Sequence, residues 1–171
     1  MTESTGDFKT PAHDLLARVD LVQRRLEEHA ASTPASGLTE PDSPSGEQWD
    51  WGQVWAHLGE FVPYWCDEVL FIVRAEGEDP VPFGRVKTDA GRVAAIVADR
   101  HRPAPELMAR LAGHLDQLRG LLRELTPTDW ERRGLHSTLG VVDMPTFFET
   151  FLVGHLESHA DQLDGLRATG G

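Results

Sequence analysis

Leucines that recur every three or four residues mark a long segment in the middle of the sequence. At this helical spacing stand Leu107, Leu111, Leu115, Leu118, Leu122 and Leu125. Apolar residues keep the same period over about residues 10–30, 50–75 and 143–170. Segments with the alternation of a half-buried strand are nearly absent. The pattern predicts four main helices, because each apolar face must be buried against the others.

The connections between these segments are long and rich in Pro, Gly and Ser. They include "ASTPASGLTEPDSPSGEQ" and "EGEDPVPFGRVKT", neither of which has apolar periodicity. A short additional helix is expected over about residues 89–100. Asp50 and Gln53 form a capping-box pair at the start of the second main helix. The sequence therefore predicts an all-α four-helix bundle with long connecting loops.

Two histidines, His155 and His159, stand four residues apart in the last helix. They fall within its apolar stripe, which consists of Phe148, Phe151, Leu152, Leu163 and Leu166. On a helix their rings lie about 40° apart in azimuth and roughly 6 Å apart along the axis. Two imidazoles at this offset can bind one metal ion. The HExxH pattern of metalloproteases is absent, because Leu156 follows His155.

A third ligand is expected on the second helix. His57 shares the inward face that carries Val54 and Phe61, whereas Cys66 lies on the opposite side of that helix. The alternative hypothesis is that each of these histidines is a core residue whose ring nitrogens form hydrogen bonds. Three buried imidazoles without a shared partner would leave polar nitrogens unsatisfied, at about 1–3 kcal/mol each. This cost favours a common metal ion over three independent core histidines.

The depth of these residues along their helices constrains the topology. His57 lies near the start of the second helix, and His159 lies nearer the end of the fourth than its start. All three rings reach one level most easily if these two helices are antiparallel. A simple up-down-up-down bundle makes them parallel, so the sequence predicts an up-down-down-up arrangement instead.

Several polar residues near these three histidines have two possible interpretations. Glu60 is a candidate catalytic base or a partner of His57, with a solvated carboxylate as the favoured alternative. Gln162 is a candidate for orienting His159, or it borders solvent. We expect His136 to be an exposed loop residue rather than part of the site mouth. His29 is expected at the surface or the edge of the bundle.

Composition excludes several classes of partner. The formal net charge of −12 argues against nucleic acid and against an anionic membrane surface. A single cysteine excludes an internal disulfide, and the polar N-terminus lacks the apolar core of a signal peptide. We therefore expect a cytoplasmic protein. Its basic residues are 14 Arg and two Lys, a bias that suggests a GC-rich, actinobacterial host.

Three segments together resemble the DinB/YfiT-like superfamily of metalloenzymes. They are "WDWGQVWAHLGE", "LTPTDWERRGLHSTLG" and "GHLESHADQL", and the resemblance covers about residues 10–168. It implies one DinB-like domain over residues 1–171, with a polar tail at 1–9 and a bundle of the crossed topology. It also implies a divalent ion bound by one histidine of the second helix and two of the fourth, which here are His57, His155 and His159.

The resemblance also indicates a range of functions. The superfamily includes bacillithiol-dependent S-transferases and a mycothiol-dependent isomerase, in whose branch a Glu stands where this chain has His155. We expect Zn²⁺ in the site, with Ni²⁺, Mn²⁺ or Fe²⁺ as alternatives. The function expected is a thiol S-transferase using mycothiol and a small electrophile. A metal-dependent hydrolase and a non-catalytic binding module remain as alternatives, and a homodimer is left open.

Overall fold

The computed structural model describes residues 11–43 and 45–169 of the chain. In chain order its elements are helix α1 (Pro11–Ala30), α2 (Trp51–Arg74), strand β1 (Val81–Phe83), α3 (Ala90–Asp99), α4 (Ala104–Glu124), the single turn α5 (Pro127–Trp130), β2 (Arg133–His136), β3 (Gly140–Asp143), the single turn α6 (Met144–Phe147), a π-helical turn (Phe148–Leu152) and α7 (Val153–Thr169). The polar tail at 1–9 and a helix end at Gly170 lie outside the described residues.

Helix α2 begins at the capping box that the sequence predicts. The side chain of Asp50 accepts a hydrogen bond from the backbone N–H of Gln53 at 2.8 Å. The Gln53 side chain in turn accepts one from the N–H of Asp50 at 3.0 Å. This reciprocal pair satisfies two donors at the helix start. It determines where the helix begins, and therefore which of its faces carries His57.

Long-range contacts define the directions of α1, α2 and α7. His57 contacts His155 and His159, while Trp65, eight residues further along α2, stacks on Phe151 near the start of the last helix. Helices α2 and α7 are therefore antiparallel. Helix α1 runs parallel to α7, because it pairs Arg18 with Glu157 and, a few turns later, His29 with Asp164.

Helix α4 runs in the same direction as α2. Asp50, at the start of α2, forms an ion pair with Arg100, just before the start of α4. At the other end, the guanidinium of Arg132 donates to the backbone carbonyls of Ile72 and Ala75. The connection between the two helices therefore crosses the length of the bundle. The up-down-down-up topology predicted from the sequence is confirmed.

The core lies between the four long helices. On α4 the leucines of the stripe at positions 107, 111, 115, 118 and 122 are buried, and Leu125 at its end is partly buried. Burying one such side chain contributes about 1.5–3 kcal/mol relative to leaving it in water. Helix α1 and helix α2 both pack against α4 and against α7. Four amphipathic faces thus meet in a single apolar interior.

A small three-stranded sheet covers one end of the bundle and was not predicted. Strand β2 pairs in parallel with β1 and antiparallel with β3. The strands have three or four residues each and include Pro82, Gly134 and Gly140. Segments this short and this rich in Gly and Pro carry little of the alternation that identifies a strand. Strand β1 lies in "EGEDPVPFGRVKT", and β2 and β3 lie in the connection between α4 and the last helix.

In the described part of the chain, no helix combines the length and the apolarity that crossing a bilayer would require.

Candidate metal centre

Three imidazoles from two antiparallel helices meet inside the bundle. The Nε2 atom of His155 lies 3.1 Å from Nε2 of His57 and 3.0 Å from Nε2 of His159. One ligand atom from each ring lies within 4.8 Å of the other two. The chain positions of these rings are 98 and 4 residues apart. The convergence expected from the sequence is therefore present, and it depends on the antiparallel packing of α2 and α7.

Burial keeps these rings neutral. His57 and His159 are 5% exposed, and His155 is partly exposed. Desolvation lowers the pKa of His159 to about 4, although the hydrogen bond that the ring donates to Gln162 opposes the shift. Desolvation, and then the neighbouring imidazoles, hold the pKa of His57 well below its usual range, and the pKa of His155 is lowered in the same way. Neutral imidazole is the form that binds a metal ion.

Glu60 orients His57 and does not border solvent, which corrects the favoured reading of this carboxylate. Its Oε1 atom lies 2.6 Å from Nδ1 of His57, and its side chain is 9% exposed. Arg85 donates to the other oxygen. Burial raises the pKa of Glu60 above its ordinary value, and the hydrogen bond from Arg85 opposes this rise. The guanidinium thus favours a carboxylate that accepts the proton of His57 Nδ1.

Gln162 acts in the same way on His159. Its Oε1 atom accepts from Nδ1 of the ring at 2.7 Å, one turn further along α7. The indole of Trp49 stacks on the other side, with ring centroids 5.8 Å apart and an interplanar angle of 11°. Phe61 contacts His155, with centroids 4.6 Å apart. These neighbours restrain the rings and shield them from water.

A divalent cation fits the donor set that results. Because Nδ1–H of His57 is donated to Glu60 and Nδ1–H of His159 to Gln162, the Nε2 atoms of both rings carry lone pairs. Both lone pairs face Nε2 of His155, which can supply at most one hydrogen to them. A cation at this point would satisfy all three nitrogens. Imidazole ligands suit zinc, nickel and iron.

A π-helical turn stands immediately before these ligand candidates on the last helix. It spans Phe148–Leu152, and Gly154 follows it directly before His155. A Cβ atom at Gly154 would overlap the backbone carbonyl of Glu149. The wider turn therefore requires glycine here. Single π-helical turns occur frequently at functional sites, where they adjust the direction of the side chains that follow.

Three cationic side chains near the imidazoles were not anticipated. Arg85, Lys87 and Arg92 all line the same cavity as His57 and His155. Arg92 is 8% exposed and donates to the backbone carbonyl of Lys87 at 2.7 Å. The segment "FGRVKTDAGRV" contains all three in a chain with a net charge of −12. That local excess of positive charge was the signal available in the sequence.

Two histidines are more buried than the sequence indicated. His136 lies on β2, is 7% exposed and lines the cavity beside His155, so it is not an exposed loop residue. Its Nδ1 atom accepts from the backbone N–H groups of Thr138 and Leu139. Its Nε2 atom is buried and has no hydrogen-bond partner among the described residues. His29 is 3% exposed and bonds Asp164 at 2.7 Å, away from the imidazole cluster.

Two cavities meet at the imidazole cluster. The first has a volume of about 330 Å³ and extends toward the start of α7, where Phe151 lines it. The second has a volume of about 220 Å³ and extends toward the end of that helix, where Ser158 and Gln162 line it. His57 and His155 line both. Small molecules can therefore approach the cluster from two directions.

The protein is a crossed four-helix bundle in which three histidines of the second and the last main helix converge in the interior. The sequence model of the DinB superfamily matches residues 18–163 of this chain. The chain therefore belongs to the DinB superfamily, and the resemblance stated from its motifs is confirmed.

Solved structures share this fold at low sequence identity. YfiT from Bacillus subtilis, described as a "probable metal-dependent hydrolase with an unusual four-helix bundle topology", is 18% identical with a TM-score of 0.73. The match covers 99% of this chain and 93% of YfiT. The mycothiol-dependent maleylpyruvate isomerase is 15% identical with a TM-score of 0.63, and the match covers 90% of this chain and 61% of the isomerase. No curated protein sequence matches the chain.

Proposed function

We propose that this protein is a metal-dependent S-transferase that joins a low-molecular-weight thiol to a small electrophile. The observation that carries the proposal is the set of three Nε2 atoms that face one point beside a cavity of about 330 Å³. The thiol is mycothiol in an actinobacterial host, and the reaction takes place in the cytoplasm. The ion is Zn²⁺, with Ni²⁺, Mn²⁺ and Fe²⁺ as the alternatives that elemental analysis would distinguish.

His57, His155 and His159 would hold a divalent ion, which would supply Lewis acidity and so lower the pKa of a thiol. In the transfer the sulfur forms a bond to an electrophilic carbon. The bond from that carbon to its leaving group breaks, and the electron pair goes to the leaving group. The thiol proton passes to solvent.

The side chains around the cluster orient the imidazoles and exclude water, and they form or break no covalent bond. Glu60 and Gln162 hold Nδ1 of two rings and direct their lone pairs inward. Both oxygens of Glu60 are engaged, one by His57 and one by Arg85, so its role is orientation rather than proton abstraction. Trp49 and Phe61 exclude water from two sides of the cluster. A drier site strengthens every electrostatic interaction within it.

The comparison with the isomerase supports a thiol co-substrate, because that protein of the same fold is mycothiol-dependent. Its identity to this chain is 15%, so the support concerns the type of co-substrate and leaves the reaction to experiment. The alternative is a hydrolase in which the ion activates water. It is favoured by YfiT, which shares the fold over nearly the whole length of both chains.

The test is a conjugation assay with the protein loaded with each candidate metal. With mycothiol and monochlorobimane we expect a fluorescent conjugate to form, and we expect its rate to fall to the uncatalysed level in His155→Ala. His101→Ala, which changes an exposed histidine, is the matched control and should retain full activity. A transferase is excluded if none of several thiols and metals accelerates the reaction. Ester or amide cleavage that needs no thiol would instead identify the hydrolase.

A further inference from the structure

We propose that the two cavities bind two different molecules at the same time, the thiol in the cavity beside Ser158 and the electrophile in the cavity beside Phe151. This inference rests on the proposed function, because it assigns the two substrates of that reaction to two places.

The cavity beside Phe151, called here the apolar cavity, suits an electrophile with an apolar body. Its walls include the indole of Trp65 and the side chains of Val86 and Leu139. No Asp or Glu of the described residues lines it, whereas Asp42 and Glu47 line the other cavity. Arg85 lines only the apolar cavity, and Lys87 and Arg92 line both. An apolar molecule with a carbonyl or anionic oxygen would match both the walls and the cations.

His136 provides a hydrogen-bond donor at this cavity. Its Nδ1 atom accepts from two backbone N–H groups, which places the ring proton on Nε2. That N–H has no partner among the described residues, although His136 is only 7% exposed. A buried donor without an acceptor is uncommon and costs about as much as a lost hydrogen bond. His136 is therefore a candidate donor to an oxygen of the electrophile.

The cavity beside Ser158, called here the polar cavity, has different walls. Hydroxyl, amide and carboxylate side chains line it, among them Thr39, Asp42, Glu47, Ser158 and Gln162. Such groups form hydrogen bonds with a molecule that carries many hydroxyl and amide groups. A glycosylated thiol such as mycothiol has this character, and an apolar electrophile does not.

The position of the two cavities brings their occupants together. Thr150 and Phe151 of the π-helical turn, before His155, line the apolar cavity, and Ser158 and Gln162 of α7, after His155, line the polar cavity. The ring of His155 lines both cavities, as does that of His57. Two molecules seated in this way would meet at the imidazole cluster, where a sulfur and an electrophilic carbon can react.

The test measures binding rather than turnover, on the protein as purified. The probe for the apolar cavity is the unreactive fluorophore syn-(methyl,methyl)bimane, titrated by fluorescence. The probe for the polar cavity is S-methylmycothiol, which has no free thiol, titrated by calorimetry. Leu139→Trp fills the apolar cavity and Ser158→Trp fills the polar one. Leu139 and Ser158 are both exposed, and each lines only one of the two cavities. Each variant is therefore the matched control for the other.

We expect saturation with one probe to change the Kd of the other by less than about twofold. Leu139→Trp should weaken only the bimane, by at least tenfold, and Ser158→Trp should weaken only S-methylmycothiol to the same extent. Mutual exclusion of the probes, an exchange of the two effects, or failure of either probe to bind would overturn the proposal. Independent binding without any conjugation by the metal-loaded protein would refute the transferase and leave the two ligand sites standing.

Discussion

The ring Nδ1 of His57 lies 2.6 Å from the carboxylate of Glu60, three residues further along the same helix. Arg85, from the connection that follows α2, donates to the second oxygen of that carboxylate. The three side chains form a chain of contacts that ends on a ligand candidate. An imidazole that ligates a metal commonly donates its other nitrogen to a carboxylate, which fixes the tautomer and raises its basicity.

Replacing Glu60 should therefore weaken metal binding. In Glu60→Gln the negative charge is lost and an amide N–H faces the guanidinium of Arg85, so we expect the affinity for Zn²⁺ to fall roughly 10- to 100-fold. Competition with a chromogenic chelator measures this affinity. Asp67→Asn, a similar change at an exposed position of α2, is the control and should have no effect. Equal affinities in the two variants would argue against the orienting role.

Metal binding should stabilise the fold. An ion that binds only the folded chain at about 100 times its Kd contributes about 2.7 kcal/mol, which corresponds to roughly 5–10 °C in Tm for a chain of this size. Thermal unfolding with a chelator and with added Zn²⁺ measures the difference. His159→Ala should abolish the response. If neither the chelator nor Zn²⁺ changes the Tm of the wild type, the prediction that the folded protein binds a metal ion is wrong.

Gly154 should be sensitive to the addition of a single methyl group. In Gly154→Ala the new Cβ would overlap the carbonyl of Glu149, so the π-helical turn before His155 must shift. We expect a loss of about 1–3 kcal/mol in the free energy of unfolding, together with weaker metal binding. Urea denaturation and the chelator assay measure the two effects.

The control for this change is Gly165→Ala on the same helix. No atom lies within 4 Å of the position that its Cβ would occupy. Alanine is the better helix former by about 1 kcal/mol, so this variant should be as stable as the wild type or more stable. A Gly154→Ala variant that behaves like the control would show that the π-helical turn does not depend on glycine.

Cys66 should be inert toward alkylation. The thiol is buried, and desolvation, followed by the charge of Asp67, raises its pKa to about 12. The thiolate is the reactive form, so we expect no modification by iodoacetamide at pH 8 in the folded protein and complete modification in urea. Mass spectrometry measures both. Rapid alkylation without denaturant would contradict the buried position of this side chain.

The same pKa shift predicts a pH dependence of stability. The thiol binds its proton more tightly in the folded chain, with a pKa of about 12 against the ordinary value of 9.0. Its contribution is therefore complete below pH 9 and is lost as the pH rises through 12. Cys66→Ala should show a shallower decline of the free energy of unfolding over this range in urea denaturation series. Identical declines in the two proteins would contradict the shift.

The helices and the direction of their side chains could be predicted from local patterns. A period of 3.6 residues places Leu111 and Leu115 on one face, and the same period turns His155 and His159 inward together. The cap at Asp50 is local too, since its partner stands three residues away. Even the crossed topology could be predicted, because rings at known depths along their helices can meet in few ways.

Local patterns could name Glu60 and Gln162 as candidates, but they could not decide whether these side chains face the imidazoles or the solvent. Glu60 has the same sequence context whether it faces solvent or Arg85, and Arg85 stands 25 residues away from it. His136 belongs to a strand of four residues, too short for its alternation to be recognised. Its burial depends on the sheet that two separate connections form at one end of the bundle.

The sequence by itself determined which residues share a helix face, since side-chain direction along a helix depends only on spacing. It thereby determined the fold class and the three histidines. Only the tertiary structure decided how close those rings come, what holds their outer nitrogens, and that two cavities of different character meet between them. These features join residues distant in the chain, such as His57 and His155, and helical periodicity sets the azimuth of a side chain but not the distance between helices.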